Sequence, residues 1–217
     1  MSRSSSLGAD FVGMLGRFAE SVTSHRILLS RIFAVALFVL LVFSRSAHDG
    51  TLLEGLLFFT GLVLVGVATV GRLWCAMYIS GYKNSELITS GPYSITRNPM
   101  YFFSFLGFAG IGFATETLSF GLTFPLIFLL VYPSIITREE ELLRSTFGPA
   151  FIDYCARTPR FLPTLKRFRE PESYNVNPRL FRRAMFDALW FIWLVGIIEL
   201  VETLHDAHIL AAVIWLP

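Results

Sequence analysis

The chain has 217 residues, of which 54% are hydrophobic and only 16% are charged, and its mean hydropathy is +0.60. Soluble domains carry about 25% charged residues, so this composition argues against a soluble domain and indicates a membrane protein. The net charge of +2 is too small and too dispersed to favour nucleic-acid binding. Because Cys75 and Cys155 form no CxxC pair, a disulfide framework and a thiolate metal site are also disfavoured.

The N-terminal region predicts an amphipathic helix followed by a membrane span. Residues 11–22 place apolar side chains at helical spacing, which is typical of a helix lying in the membrane interface, within a segment covering residues 1–26. A simple cap before the first span fits this segment equally well. An apolar run over residues 27–43 follows, and the long side chain of Arg31 near its start can reach the lipid headgroups.

Further apolar runs are long enough to form membrane helices, for which about 20 residues are needed. Residues 207–216 are too short to span and predict a half-helix or an interfacial segment. The stretch "REEELLRSTFG", which begins at residue 138, predicts a cytoplasmic helix after the fourth span. The fold class predicted is an all-α, polytopic membrane bundle with about five transmembrane helices, in a single domain over residues 1–217. The four runs after the first one cover residues 52–70, 99–114, 118–137 and 184–201.

The distribution of basic residues predicts the orientation. Lys and Arg number ten within residues 138–183 and three within residues 71–98, whereas residues 44–51 hold one. Cytoplasmic loops carry the excess of Lys and Arg, so both richer segments and the N-terminus are expected on the cytoplasmic side. Two distant polar stretches should therefore lie at the same membrane face.

The first of these stretches is "TRNPMY". Asn98 is a favoured N-cap and Pro99 fits the first helical position, so a membrane helix should begin here. The N–H groups and positive dipole end of that helix suit an anion such as a carboxylate, and Arg97 can bind the same anion through two hydrogen bonds. The alternative is a helix cap beside an arginine that reaches toward the headgroups.

The second stretch is "REEE". Successive residues of a helix are rotated by about 100°, so the three acids, which include Glu139 and Glu140, cannot all face one way. One carboxylate can face a pocket and hold an ammonium group or approach a sulfonium cation. The alternative is a solvated acidic turn that favours helix formation.

The two stretches together resemble a known family. "GPYSITRNPMY", followed by "EEELLRSTFGPAFIDYCARTPRFLP", is similar to the integral-membrane isoprenylcysteine carboxyl methyltransferases and to phospholipid methyltransferases. The signature of that family reads G-P-Y-x-x-x-R-H-P-x-Y and then E-E-x-x-L-x-x-x-F-G-x-x-Y-x-x-Y. The resemblance covers residues 71–163, a methyltransferase-like catalytic region, and precedes C-terminal membrane helices over residues 184–217.

The resemblance implies S-adenosylmethionine as the cofactor and assigns roles by position. Arg97 and Glu140 are the implied catalytic residues, and Tyr154 matches the segment that closes over the cofactor. Asn98 stands where the family has His, which makes a histidine base at this point doubtful. The implied cofactor-binding residues are Tyr93, Arg97, Asn98, Pro99, Tyr101, Glu139 and Glu140.

Acidic residues near the end of the apolar run over residues 184–201 allow further functional interpretations. Glu199 is predicted as an acceptor-binding residue, because acids within membrane helices are often functional, although a helix-end position explains it too. Glu202 and His205 have the i,i+3 spacing of metal-binding helices, but one such element supplies too few ligands. No metal site is predicted.

The leading prediction is S-adenosylmethionine-dependent methyl transfer to a lipophilic acceptor carboxylate, thiol or amine at the cytoplasmic membrane face. The expected partners are a lipophilic or lipid-linked substrate and membrane lipid, without nucleic acid. Prenylated protein, phospholipid, quinone-like lipid and small thiol all fit the acceptor. The alternatives are an NADPH-dependent reductase of the sterol-reductase type, which should need more basic residues, and a non-enzymatic membrane subunit.

Overall fold

The structure is a computed structural model that describes residue 36, residues 38–82 and residues 85–217. The chain divides into two units, Met1–Ser44 and Arg45–Pro217, of which the second contains nearly all described residues. Residues 38–43 are helical. The amphipathic segment and most of the first predicted span lie outside the described residues, and the single-domain assignment stays a prediction.

Helix α1, Leu52–Ile79, is longer than the predicted span over residues 52–70. It begins where the side chain of Thr51 accepts a hydrogen bond from the Glu54 N–H. The prediction ended the helix too early because Arg72 interrupts the apolar run. In the structure the Arg72 guanidinium donates to the Ser104 hydroxyl, so the charge is accommodated inside the bundle and the helix continues.

Two short apolar helices follow. Helix α2 is Pro92–Ile95, and helix α3, Pro99–Phe113, begins at the predicted residue. Helix α3 packs along α1, and the two backbones approach closely at glycines. A Cβ added to Gly61 would lie 2.7 Å from the Gly110 carbonyl oxygen, so only glycine allows the two helices to pack this closely.

Helix α4, Leu118–Phe147, joins two elements that the sequence separates. The acidic stretch was predicted as its own helix after the fourth span, but it continues α4 without a break. Residues 134–147 contain neither Pro nor Gly, so nothing in them ends the helix. The break comes at Gly148, whose φ of 52° reverses the chain into helix α5, Pro149–Arg157.

The C-terminal third contains a 3-10 turn at Leu165–Arg167 and helix α6, Pro178–Asp206. Of the two alternatives predicted for residues 207–216, the half-helix is wrong, and the interfacial segment stays a prediction. Ile214–Leu216 forms strand β2, which pairs with strand β1, Ser44–Ser46, and is extended by a 2.7 Å hydrogen bond from the Ala47 N–H to the Leu216 carbonyl. Pairing of the two strands provides hydrogen bonds for backbone N–H and C=O groups that an isolated helical turn would leave without partners.

The described residues form an all-α membrane bundle, apart from the short strand pair. Within the described ranges, three helices are long and apolar enough to cross a membrane: α1, α4 and α6. Large apolar side chains such as Phe59, Leu130 and Trp193 point outward, as expected for a surface that contacts lipid. Helix α3 is a shorter apolar helix that packs against α1, α4 and α6. The predicted membrane-bundle fold class is confirmed.

Candidate active site

A peptide segment crosses the loop that carries the first polar stretch. We name residues 159–169 the strap. The Arg97 N–H donates to the Pro159 carbonyl at 2.9 Å, the Thr164 N–H donates to Ile95 at 2.9 Å, and the Gly91 N–H donates to Arg169 at 2.7 Å. These three backbone hydrogen bonds hold α2 and the start of α3 in place beneath the strap.

Asn98 stands at the N-cap position of α3, but its side chain does not cap the helix. Its amide Nδ2 instead donates to Glu140 Oε1 at 3.0 Å and to the Arg160 carbonyl of the strap at 2.9 Å. The side chain is only 7% exposed. Asn98 therefore links three segments, and the expected local cap is replaced by long-range contacts.

Glu140 lies between two arginines. Its Oε1 is 3.4 Å from Arg97 Nε, and its Oε2 is 3.1 Å from Arg160 Nε. The side chains of Arg97 and Glu140 are 16% and 17% exposed, so water screens this pair only partly. Glu140 does not line the cavity described below, and this geometry favours a positioning role over direct contact with a substrate.

Glu139 faces a different direction from Glu140, as the helical rotation predicted. The Tyr101 hydroxyl donates to Glu139 Oε2 at 2.7 Å, which ties the first turn of α3 to the cytoplasmic-side end predicted for α4. The two polar stretches, separated by about 40 residues of sequence, thus meet at one end of the bundle through Asn98–Glu140 and Tyr101–Glu139 contacts.

A cavity of about 400 Å³ opens at this end. Known ligand pockets occupy about 300–1,000 Å³ and combine apolar walls with a few polar groups. This cavity presents the charged groups of Arg72, Arg97, Glu86 and Glu139 against aromatic and aliphatic walls. The predicted site residues that line it are Tyr93, Arg97, Asn98, Pro99, Tyr101 and Glu139.

Tyr93 carries a polar group without a protein partner. Its hydroxyl is buried and has no hydrogen-bond partner among the described residues. Burial raises the pKa of Tyr93 well above its usual value, so the hydroxyl is protonated and can donate at neutral pH. The Tyr154 hydroxyl donates to the Tyr93 carbonyl at 2.7 Å and fixes this segment from the other side.

Arg72 is the main cavity residue that the sequence did not reveal. Besides donating to Ser104, its guanidinium lies 5.6 Å from the ring centroid of Phe191, and its Nε has no hydrogen-bond partner among the described residues. The sequence feature that could have indicated its role is an arginine within an otherwise apolar helical pattern. Charged residues in such positions commonly face the interior of a helix bundle or a polar cavity.

A smaller, largely apolar cavity of about 190 Å³ lies beside the first one, and Tyr132 lines both. Its other walls come from α4 and the strap. Glu199, predicted as an acceptor-binding residue, lines neither cavity and lies on α6 close enough to Glu202 to influence its charge. Its predicted role stays a prediction.

Comparisons with known proteins agree with this arrangement. The model of the family described as phospholipid methyltransferase matches residues 51–150, which include both polar stretches. No solved structure matches the chain.

Two curated relatives match over nearly their whole length. The chain is 42% identical to the cobalt-zinc-cadmium resistance protein CzcN of Cupriavidus metallidurans, over 90% of each chain. It is 39% identical to the nickel-cobalt-cadmium resistance protein NccN of Alcaligenes xylosoxydans xylosoxydans, over 90% of this chain and 92% of that one. With the site geometry and the family match, these findings lead to one conclusion: the chain belongs to the phospholipid methyltransferase family of membrane proteins.

Proposed function

We propose that this membrane methyltransferase transfers a methyl group from S-adenosylmethionine to a lipophilic acceptor, and that the cavity opens to the cytoplasm. The observation that carries the proposal is the meeting of Arg97 and Glu139 at one cavity of about 400 Å³ walled by tyrosines. Basic residues concentrate in the loops at this end of the bundle, which supports the cytoplasmic orientation.

The residues present fit the cofactor. Arg97 lines the cavity while its Nε is held 3.4 Å from Glu140 Oε1, so the rest of its guanidinium suits the carboxylate of the cofactor. The Glu139 carboxylate lines the cavity and suits the ammonium group. Tyr93 adds a buried hydroxyl without a partner, and the Tyr101 ring offers a face for adenine or for the sulfonium, where cation–π attraction is worth about 0.5–2 kcal/mol.

The cofactor, when bound, supplies a methyl group activated by the positive sulfonium. The protein contributes alignment and a low-dielectric surrounding. Asn98, Glu140 and the strap hold Arg97 and the start of α3, and a fixed geometry of the reactants can lower the barrier by several kcal/mol. An acceptor carboxylate or thiolate needs no protein base, which agrees with Asn98 in place of the family histidine.

The smaller cavity supports a lipophilic acceptor. It is almost wholly apolar and adjoins the main cavity at Tyr132. Its α4 wall contains Leu129, an exposed apolar residue on a helix that can cross the membrane. An acyl or isoprenoid chain in this cavity would place the polar end of the acceptor near the main cavity, where Arg72 suits an anionic group.

The activity can be tested with purified protein in lipid nanodiscs, methyl-labelled S-adenosylmethionine and a lipid extract from the native membrane. We expect label in the lipid fraction, and we expect Arg97→Gln and Glu139→Gln each to lower kcat/KM by about 100-fold. Arg144→Gln, an exposed charge change on α4, is the matched control and should retain activity. Failure of the wild-type protein to label any lipid, peptide or thiol fraction would contradict methyl transfer.

The names of the two relatives support a physiological role. Both are called resistance proteins for divalent metals including cobalt and cadmium. We propose that methyl transfer by this chain contributes to tolerance of such metals. Expression of the wild-type chain in a metal-sensitive host should raise the tolerated cobalt or cadmium concentration, whereas Glu139→Gln should not. Equal protection by the wild-type chain and by Glu139→Gln would show that metal tolerance does not depend on methyl transfer.

A further inference from the structure

Three carboxylates meet at the end of the bundle opposite the cavity. Glu54 lies in the first turn of α1, Glu116 lies between α3 and α4, and Glu202 lies near the end of α6. One oxygen from each lies within 4.8 Å of the others. Arg72 of the cavity is about 27 Å along α1 from Glu54, at a rise of about 1.5 Å per residue. We name these three residues the carboxylate cluster.

The carboxylate cluster contains a buried oxygen that the protein leaves without a partner. Glu116 is only 9% exposed, and its Oε2 has no hydrogen-bond partner among the described residues. His205 follows Glu202 by one turn of α6, is 4% exposed, and has a buried Nε2 that likewise lacks a partner in the described part of the chain. Buried polar atoms in proteins are nearly always satisfied, so the unpaired Glu116 oxygen indicates a ligand.

No basic side chain in the described part of the chain offsets this negative charge. Among the described residues, none of the three carboxylates forms an ion pair with Lys or Arg, and Arg45 at this end pairs with Asp49 and Asp206 instead. Like charges this close repel one another, and a cation bound between them would offset the repulsion.

We propose that the carboxylate cluster binds one divalent transition-metal cation, such as Zn²⁺ or Co²⁺, through Glu54, Glu116 and Glu202. Carboxylate oxygens coordinate such cations at about 2.0–2.2 Å, so two oxygens on one ion are at most about 4.4 Å apart. The three oxygens lie within 4.8 Å of one another, so small side-chain movements would bring them onto one ion. His205 lies one turn after Glu202 on α6 and outside the group of three carboxylates. A histidine at this spacing favours a transition metal over Ca²⁺ or Mg²⁺, which bind oxygen ligands. A bound cation would join α1, the α3–α4 turn and the end of α6.

The test uses full-length protein without a polyhistidine tag, in detergent micelles, titrated with Zn²⁺. We expect about one Zn²⁺ per chain by equilibrium dialysis and metal analysis, and a higher melting temperature in its presence. Glu116→Gln and Glu202→Gln keep side-chain shape and should each weaken Zn²⁺ binding by more than about tenfold. Glu172→Gln, an exposed acid in the segment before α6, is the matched control and should bind as the wild type does.

Several results would overturn the metal site. The absence of Zn²⁺ binding by the wild-type protein, with an unchanged melting temperature, would contradict a cation site and favour a proton shared among the carboxylates. Equal binding by the wild type, Glu116→Gln and Glu202→Gln would place the ion elsewhere. Displacement of Zn²⁺ by an equal concentration of Ca²⁺ would exclude a transition-metal site. None of these readouts involves methyl transfer, so the metal site and the proposed function fail independently.

Discussion

Asn98 shows at the residue scale how this site replaces a local interaction with long-range ones. Its amide has two hydrogen-bond donors, and they go to Glu140 Oε1 at 3.0 Å and to the Arg160 carbonyl at 2.9 Å. A histidine at this position would also donate, but it would titrate near neutral pH. The amide thus holds the acidic stretch against the start of α3 at every physiological pH.

A double-mutant cycle measures this contact. Asn98→Ala and Glu140→Gln should each destabilise the protein by about 1–3 kcal/mol, because each leaves a polar partner poorly satisfied. The coupling free energy between them should be about 0.5–3 kcal/mol in the free energy of unfolding in mixed micelles. Asn98→Ala combined with the exposed Arg144→Gln is the control and should be additive. Additivity of the first pair would show that the contact contributes nothing.

Tyr93 and Tyr154 allow a matched comparison of two buried hydroxyls. The Tyr93 hydroxyl has no partner among the described residues, whereas the Tyr154 hydroxyl donates to the Tyr93 carbonyl. Tyr154→Phe should therefore cost about 1 kcal/mol of stability. Tyr93→Phe should leave stability unchanged or raise it, and should weaken S-adenosylmethionine binding by about tenfold. Loss of stability without loss of affinity in Tyr93→Phe would assign its hydroxyl a purely structural role.

At the scale of elements, the sequence predicted what local signals determine. The residue pair Asn98-Pro99 correctly marked the start of α3. The sequence did not predict that α1 continues to Ile79, because this length depends on the contact of Arg72 with Ser104. It also did not predict that α4 runs unbroken to Phe147, because the change from apolar to charged residues indicated the end of the span although no Pro or Gly follows residue 133 within the helix. The sequence also does not show which glycine of α1 faces Gly110, because the packing of the two helices determines this.

The α1–α3 contact gives a prediction at this scale. Gly110→Ala places a Cβ 2.8 Å from the Gly61 carbonyl oxygen, so the helices must separate, at a cost of about 1–3 kcal/mol. A Cβ at Gly66 meets nothing within 4 Å, so Gly66→Ala is the control and should be neutral or stabilising by up to about 1 kcal/mol. Thermal unfolding in micelles compares the two. Similar melting temperatures for both variants would contradict the close approach of α1 and α3.

At the scale of the whole molecule, polar chemistry lies at the two ends of an apolar bundle. One end holds the cavity, and the other holds the carboxylate cluster. The distribution of basic residues in the sequence predicted that the arginine and glutamate stretches lie at the same membrane face. The structure shows hydrogen bonds between them. The sequence provided no basis for the carboxylate cluster, since Glu54, Glu116 and Glu202 belong to three separate elements. Only the spacing of Glu202 and His205 pointed toward it.

The proposed cofactor site is tested most directly by equilibrium binding to the purified protein in detergent. S-adenosylmethionine, its demethylated product and NADPH would be titrated separately, with Arg97→Gln compared to the exposed-charge control Arg144→Gln. We predict micromolar binding of the first two ligands, no measurable binding of NADPH, and loss of at least about tenfold in affinity for Arg97→Gln alone. Preferential binding of NADPH, or equal affinity of both variants for S-adenosylmethionine, would contradict the account.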